Sequence, residues 1–575
     1  MMTKRIRNLN SIVVVFLLAA VLLAACDKNF NQSIKPEDTK QSYSSVPGKS
    51  SQVDSDPLGK YHPAIDISFV RGIDEDFAKN VLPKTPGENI EDNRWLELYS
   101  EELGINVRYD WAVRGNETSD VFTQKMNVTL ASGDLPDVLL VNSAQLRQLV
   151  DSDMVEDMAG YFNKYASTLT KEVYSQEGAA TLESATIDGK LMAVPEPFSF
   201  VEEAQYIWIR KDWLKELNLQ APKSMDELLK ISKAFTTMDP DRNGRHDTYG
   251  MAITKDLYGG CMGTEGFFAA YHAYPNMWVE DASGKLVWGS TLPETKTALG
   301  KLADMYKAGE LDREFGVKDG GKVAETIAAG KVGIEYGAQW NPMYPLIGNF
   351  NHDNNADWTG YPLVSADGKK VMVPLKFDQT RILAIRKGYP YPEALIKLIN
   401  MHLEKNWGDT ADFSKYYMPA KNGGVGVWKF SPVIPTPPFK NLDAFLAIEG
   451  ARKSGSLNSL QGEPKAIQSN LKAYADGDKT KWGWEKIYGI DGVLGLLDKY
   501  KTNGQLLTDR FVGPSTKTMS EKKAVIDMME KEIFTKIIMG EVPVDRFDKF
   551  VSDWYKIGGR EITAEVNNWC KAERN

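Results

Sequence analysis

Cysteine and histidine are scarce in this chain, with three of the first and five of the second among 575 residues. So few cysteines exclude a disulfide-stapled scaffold and a cysteine-rich metal domain. Cys261 and Cys570 lie far apart, and His62, His246, His272, His352 and His402 are scattered. There is no His-Glu-x-x-His, no Gly-x-Ser-x-Gly elbow and no phosphate-cradling glycine loop, so the zincin, α/β-hydrolase and nucleotide-hydrolase readings lose their support. A glycoside hydrolase stays open, because it needs only two carboxylates brought together by folding. Positive charge is in deficit, 69 Lys and Arg against 78 Asp and Glu, which argues against nucleic acid as a partner. No apolar run beyond residue 26 is long enough to cross a bilayer, and no internal repeat or heptad array is present.

What is present begins at the N-terminus. Lys4, Arg5 and Arg7 precede an unbroken apolar run from Ile12 to Ala25, which ends in Leu23-Ala24-Ala25-Cys26. The run is too short to span a membrane and closes on small residues, so residues 1–25 read as a cleaved signal peptide. The pattern resembles a bacterial lipobox. That resemblance implies cleavage before Cys26, lipid on its sulfur and its new amine, and a multi-chain anchor on the outer face of the cytoplasmic membrane. Removing Lys4, Arg5 and Arg7 takes the net charge from −9 to −12, so the mature chain is acidic. From Cys26 to about residue 60 the chain is polar and poor in large apolar residues, and is expected to act as a flexible tether.

Beyond the tether, short apolar runs alternate with helical patterns: Ile65 to Val70, Trp95 to Leu103, Val107 to Val113, Ser119 to Ala131, then Val138 to Val141. This alternation predicts βαβ units and an α/β fold. A second system opens at Tyr206-Ile207-Trp208-Ile209, followed by a helix beginning at Ser224-Met225-Asp226-Glu227, where Ser224 and Glu227 have capping-box spacing. Trp208, inside an apolar strand, is assigned to the core. Toward the C-terminus Val525, Ile526, Met529, Ile533, Phe534, Ile537 and Ile538 recur at helical spacing, with Gly540 as the expected cap.

The strongest local signal for chemistry is the loop Asp239-Pro240-Asp241-Arg242-Asn243-Gly244-Arg245-His246-Asp247-Thr248. Asp239, Asp241, Asn243 and Asp247 place oxygens at alternating positions, Gly244 permits the sharp turn, and Arg245 supplies a main-chain carbonyl. A structural calcium ion suits such a set of hard oxygens. Position 12 is Gly250, so the usual bidentate glutamate is missing and Thr248 or a distant residue must complete the shell.

Here the sequence resembles the family 1 extracellular solute-binding proteins of ABC importers, and among them the large oligosaccharide-binding and alginate-oligosaccharide-binding lipoproteins. The matching segments are Ile209 to Leu214, Asp239 to Gly244 with Asp247 to Gly250, Leu130 to Asp137, Gly189 to Pro195 and Phe534 to Gly540. The resemblance implies a type II periplasmic-binding-protein fold. Residues 61–200 with about 372–425 would form one lobe, and 201–371 with about 426–575 the other. It further implies a monomer that holds an oligosaccharide in a cleft, closes on it, and delivers it to ABC permease subunits. The rival readings are an extracellular glycoside hydrolase or lyase, and a sugar-sensing subunit.

Sugar rings present flat C–H faces to aromatic side chains, which makes Tyr274, Trp278, Trp340, Trp428 and Trp484 the ligand candidates. In sugar binders of this fold a Gly-x-Trp turn after the second-lobe strand lies at the cleft. Here the turn reads Gly337-Ala338-Gln339-Trp340, with one residue more between Gly and Trp, and it places Trp340 first. Glu196 and Arg381, near the expected crossings between lobes, have side chains able to bond sugar hydroxyls.

Overall fold

The computed structural model describes residues 56–377, 379–419 and 424–573. Cys26, the signal segment and nearly all of the tether lie outside the described residues.

The first strand, Ile65–Ile73, pairs in parallel with Ile105–Arg114, its register shifting between Phe69 and Val70. The helical stretch between them starts at Arg94, where the Asn93 side chain accepts from the backbone N–H groups of Trp95 and Leu96. It buries Trp95, Tyr99 and Leu103 before Gly104, at φ +65°, turns the chain into the second strand. The Asp120–Ser132 helix follows, capped by Ser119. The buried Val138–Val141 strand then pairs antiparallel with Ile382–Ile385, which also pairs with Val194–Pro195. These elements enclose one hydrophobic core, drawn from Tyr61 to Val194 and from Ile382 to Val433.

The second core draws on Val201 to Leu375 and Leu442 to Val566. Its sheet runs in the order Trp358–Tyr361, Tyr206–Arg210, Val332–Gly337, Tyr249–Met251, the first two pairings antiparallel and the last parallel. Trp208 is fully buried in it and donates through Nε1 to the carbonyls of Gly337 and Ala338. The Met225–Thr237 helix covers the sheet, with Ser224 Oγ accepting from the Glu227 N–H. The Glu227 carboxylate reaches back one residue beyond the box, to the Lys223 N–H. In the long Lys517–Ile538 helix Ile526, Ile533, Phe534, Ile537 and Ile538 are buried as expected, whereas Val525 is 55% exposed and faces outward.

The chain crosses between the cores three times. The second crossing falls after Leu375 rather than near residue 372, because Val373–Leu375 pairs in parallel with Leu506–Thr508 of the second core. The third falls after Val433 rather than near residue 425. Val427, Phe430 and Val433 belong to the first core, and Trp95 Nε1 donates to the Val427 carbonyl.

Candidate functional site

The three crossings are bonded to one another. The Glu196 N–H donates to the Arg381 carbonyl at 2.9 Å, Gln379 Nε2 donates to the Glu196 carbonyl at 2.8 Å, and the Thr436 N–H donates to the Pro197 carbonyl at 3.2 Å. Glu196 is 2% exposed. One of its oxygens takes the Arg381 guanidinium at 2.5 Å and the other the Ile434 N–H at 2.7 Å, while Arg381 also pairs with Glu117. Burial raises the Glu196 carboxyl above its ordinary range, and Arg381 opposes that rise. With both oxygens engaged and only 2% of its surface exposed, Glu196 is a buried strut between crossings, out of reach of a sugar hydroxyl, which corrects its expected role.

Beside the crossings the second core forms a wall around a cavity of about 310 Å³, lined among others by Phe198, Phe200, Glu203, Gln205, Glu265 and Lys376. Trp340 stands at its edge and donates through Nε1 to Glu203 Oε1 at 3.2 Å. Gly260 makes this close packing possible: a Cβ there would lie 2.5 Å from Glu203 Oε2 and 2.7 Å from Trp340 Cζ2. Gln205 Nε2 donates to Glu265 Oε2 and to the Gly259 carbonyl, both at 2.9 Å, and the Gly259 N–H donates to Glu265 Oε1. Burial pushes the Glu203 carboxyl up to about 7, the Trp340 N–H opposing and Glu265 adding to the rise. Glu265 is likewise raised by burial. The wall thus offers a half-buried indole, carboxyl oxygens as acceptors and the exposed ring of Phe198.

The first core supplies a second wall, around a cavity of about 120 Å³ lined by Arg71, Tyr109, Glu117, Arg381, Trp428 and Lys429, with others. It sits at the C-terminal ends of the first two strands, where open α/β sheets place their ligands. Trp428 stacks on Tyr417 with ring centroids 6.1 Å apart. Arg71 donates to the Tyr109 hydroxyl and to the carbonyls of Phe430 and Lys429.

Of the predicted aromatics, Trp428 lines one of these cavities, and Trp340 stands behind the lining of the other, against Glu203 and Gly260. Trp278 is 3% exposed and packs on Trp288 at 5.2 Å; it borders an adjoining cavity that shares Asn276 and Lys376 with the larger one, but is chiefly a core residue. Tyr274 packs against the second core, while its neighbours Pro275, Asn276 and Met277 line the larger cavity. Trp484 stacks on Tyr488 within the Trp482–Tyr488 helix and lines neither wall. Glu203, Gln205, Glu265, Lys376 and Arg71 were not foreseen. Nothing in their spacing marks them; only the adjacent Gly259 and Gly260 hinted at close backbone packing.

In the Asp239–Thr248 loop, Asp239 accepts from the N–H groups of Asn243 and Gly244 at 3.1 and 3.0 Å. Asn243 Nδ2 bridges Asp241 and Asp247, and Asn243 Oδ1 accepts from the Arg245 N–H. Lys331 Nζ lies 3.3 Å from Asp241 Oδ2 and 2.8 Å from Asp247 Oδ2, placing its ammonium among the carboxylates. Thr248 is buried and its hydroxyl donates to the Phe235 carbonyl, so the side chain does not complete an ion's shell. Among the described residues the acidic groups are not gathered tightly enough to hold an ion as they stand. One atom of the loop is conspicuous: Asp241 Oδ1 is buried with no hydrogen-bond partner.

Among characterised proteins, lipoprotein LipO of Bacillus subtilis is 23% identical over 501 residues, 86% of this chain and 91% of LipO. The polygalacturonan/rhamnogalacturonan-binding protein YtcQ of the same organism is 31% identical over 218 residues, 37% of this chain and 41% of YtcQ. The structure of the ABC-transporter substrate-binding protein FusA of S. pneumoniae with kestose superimposes with a TM-score of 0.59 at 17% identity, covering 89% of this chain and 99% of FusA. A FusA EF-hand mutant superimposes with a TM-score of 0.58 at 16% identity, covering 89% and 99%. These likenesses establish the α/β periplasmic-binding-protein-like fold. The model of the bacterial extracellular solute-binding proteins matches residues 87–438, more than half of the chain, and the chain belongs to that family.

Proposed function

We propose that this protein is a lipid-anchored receptor that captures an oligosaccharide between its two cores and presents it to an ABC permease. The carrying observation is the pairing of Trp340 with Glu203 at a cavity bordered by two crossings, facing the hydroxyl and C–H surfaces a sugar offers. FusA and YtcQ bear carbohydrate ligands in their names or structures, which supports the same class here. Ligand bound to both walls favours the closed arrangement by its differential affinity, and the permease reads that arrangement. Membership of a binding family makes capture, not catalysis, the activity. The lipobox residues and the likeness to LipO support anchoring through Cys26. A thermal-shift screen against oligosaccharides tests the reading: at about a hundred times its dissociation constant a ligand adds roughly 2.7 kcal/mol. Recovery of the sugar intact is expected, and recovery of cleaved sugar would replace the receptor by an enzyme.

We further propose that the Asp239–Thr248 loop binds one structural calcium ion through Asp239, Asp241, Asn243, Asp247 and the Arg245 carbonyl. The unsatisfied Asp241 Oδ1 and the all-oxygen donor set fit calcium, and a FusA EF-hand mutant shows that a relative of this fold has such a loop. Lys331 is then a resident cation that the ion displaces. Calcium is expected to raise the melting temperature of the native chain, and Asp241→Ala with Asp247→Ala to remove that rise. Identical melting curves in calcium and in chelator would end the proposal.

A further inference from the structure

We infer that the cleft is built for an uncharged, hydroxyl-rich oligosaccharide and discriminates against uronate sugars, an inference that rests on the oligosaccharide reading above. The relatives leave this open, since YtcQ is named for galacturonan, an acidic chain, and FusA is seen with kestose, a neutral one.

A sugar carboxylate that leaves water needs a cation, or N–H donors not engaged elsewhere. Arg381 is held by Glu196 and Glu117. Lys429 is held by Asp74 and Asp76, and Lys523, in the neighbouring cavity, by Asp527. Lys376 lies close enough to Glu265 and Asp509 to lower the pKa of both carboxyls. Arg71 touches no carboxylate, but its terminal nitrogens are filled by the Tyr109 hydroxyl and the carbonyls of Phe430 and Lys429. Its guanidinium also lies over the Phe77 and Tyr109 rings, and its remaining Nε is buried. Arg381, Lys429, Lys523 and Lys376 thus face carboxylates, while Arg71, 8% exposed, keeps its one unpartnered donor, Nε, inside the protein.

The acidic side is different. Glu203 has its Oε1 on the Trp340 N–H and its Oε2 beside Gly260, at the edge of the same cavity that Glu265 lines. A ring lying on Trp340 meets these carboxyls first. Hydroxyl groups donate to them; a uronate would stand against them, and like charges brought together in a partly dry site are costly.

Calorimetric titration of the full chain in detergent decides the matter, with maltotriose, xylotriose, kestose and galactotriose as neutral probes and trigalacturonate as the acidic one. Expected are a neutral trisaccharide that binds with little dependence on salt, and trigalacturonate weaker by about 100-fold or more. Glu203→Gln should cost the neutral ligand roughly tenfold, the scale of a hydrogen bond to a charged group, and narrow its margin over trigalacturonate. Circular dichroism verifies that the variant folds. Trigalacturonate binding as tightly as the neutral probes would overturn the inference while leaving the receptor reading intact. Failure of both classes to bind would remove that reading and the inference with it.

Discussion

Trp340→Ala is expected to weaken oligosaccharide binding by about 10- to 100-fold, as loss of a central aromatic anchor does, while moving the melting temperature little. The indole is fixed from three sides. Gly337, at the end of the Val332–Gly337 strand, starts the turn because a Cβ there would collide with Asn341 Nδ2 at 1.6 Å. Glu203 holds the indole nitrogen, and Gly260 lies along the ring edge. A ring so held loses little freedom when a sugar lies on it, so its contact energy goes largely into affinity. It is also only half-buried, so truncation opens no enclosed cavity. Trp208→Ala is the contrasting control: that ring is fully buried, and its removal should cost about 3–5 kcal/mol of stability. Calorimetric binding beside thermal unfolding separates the two. Unchanged affinity in Trp340→Ala would remove it from the site.

The α/β alternation from Ile65 to Val141 was legible because each element is local: short apolar strands, a helix behind Asn93, another behind Ser119. The second core opened at Tyr206 for the same reason. The crossings were less legible. A boundary is set by which core a side chain packs against, and Val373 and Val427 look alike in sequence though they enter different cores. Val525 shows the same limit within one helix, since helical spacing gives a stripe but only packing gives its width.

At the site, the sequence could nominate aromatics by type and not by address. Trp340 was singled out by a turn that follows a recognisable strand, whereas Trp278 satisfies the same chemistry and is sealed against Trp288. Glu196 was placed correctly near a crossing, but its partner Arg381 is 185 residues away, and that pairing decides what the carboxylate is free to do. Glu203 carried no signal because its role depends on Trp340, 137 residues on. The Asp239–Thr248 loop is the opposite case, its side-chain oxygens lying within ten residues. What the spacing could not show was Lys331 reaching in from the strand side, or Thr248 turning its hydroxyl to Phe235.

The largest pH effect is expected on the acid side, from His402. It is 1% exposed, stacks on Trp95 with centroids 4.7 Å apart, and shares a hydrogen bond with Asn406 at 3.1 Å. Its Nδ1 is buried without a partner. Burial, with the Arg381 charge adding, pushes its pKa down to about 3 from the ordinary 6.5. The folded chain therefore keeps this ring neutral where the unfolded chain takes up a proton. Stability is complete above pH 6.5 and falls as pH drops toward 3, by about 1.4 kcal/mol per unit and roughly 5 kcal/mol in all. That sum is comparable to the whole stability of an ordinary domain. His402→Gln retains an acceptor for Asn406 but cannot be protonated. It should be less stable than the native chain at pH 7, where the stack on Trp95 is lost, and more stable near pH 4, so the two curves cross. Denaturant unfolding at several pH values measures both slopes, and parallel curves would show that His402 is not the group that loosens the first core in acid.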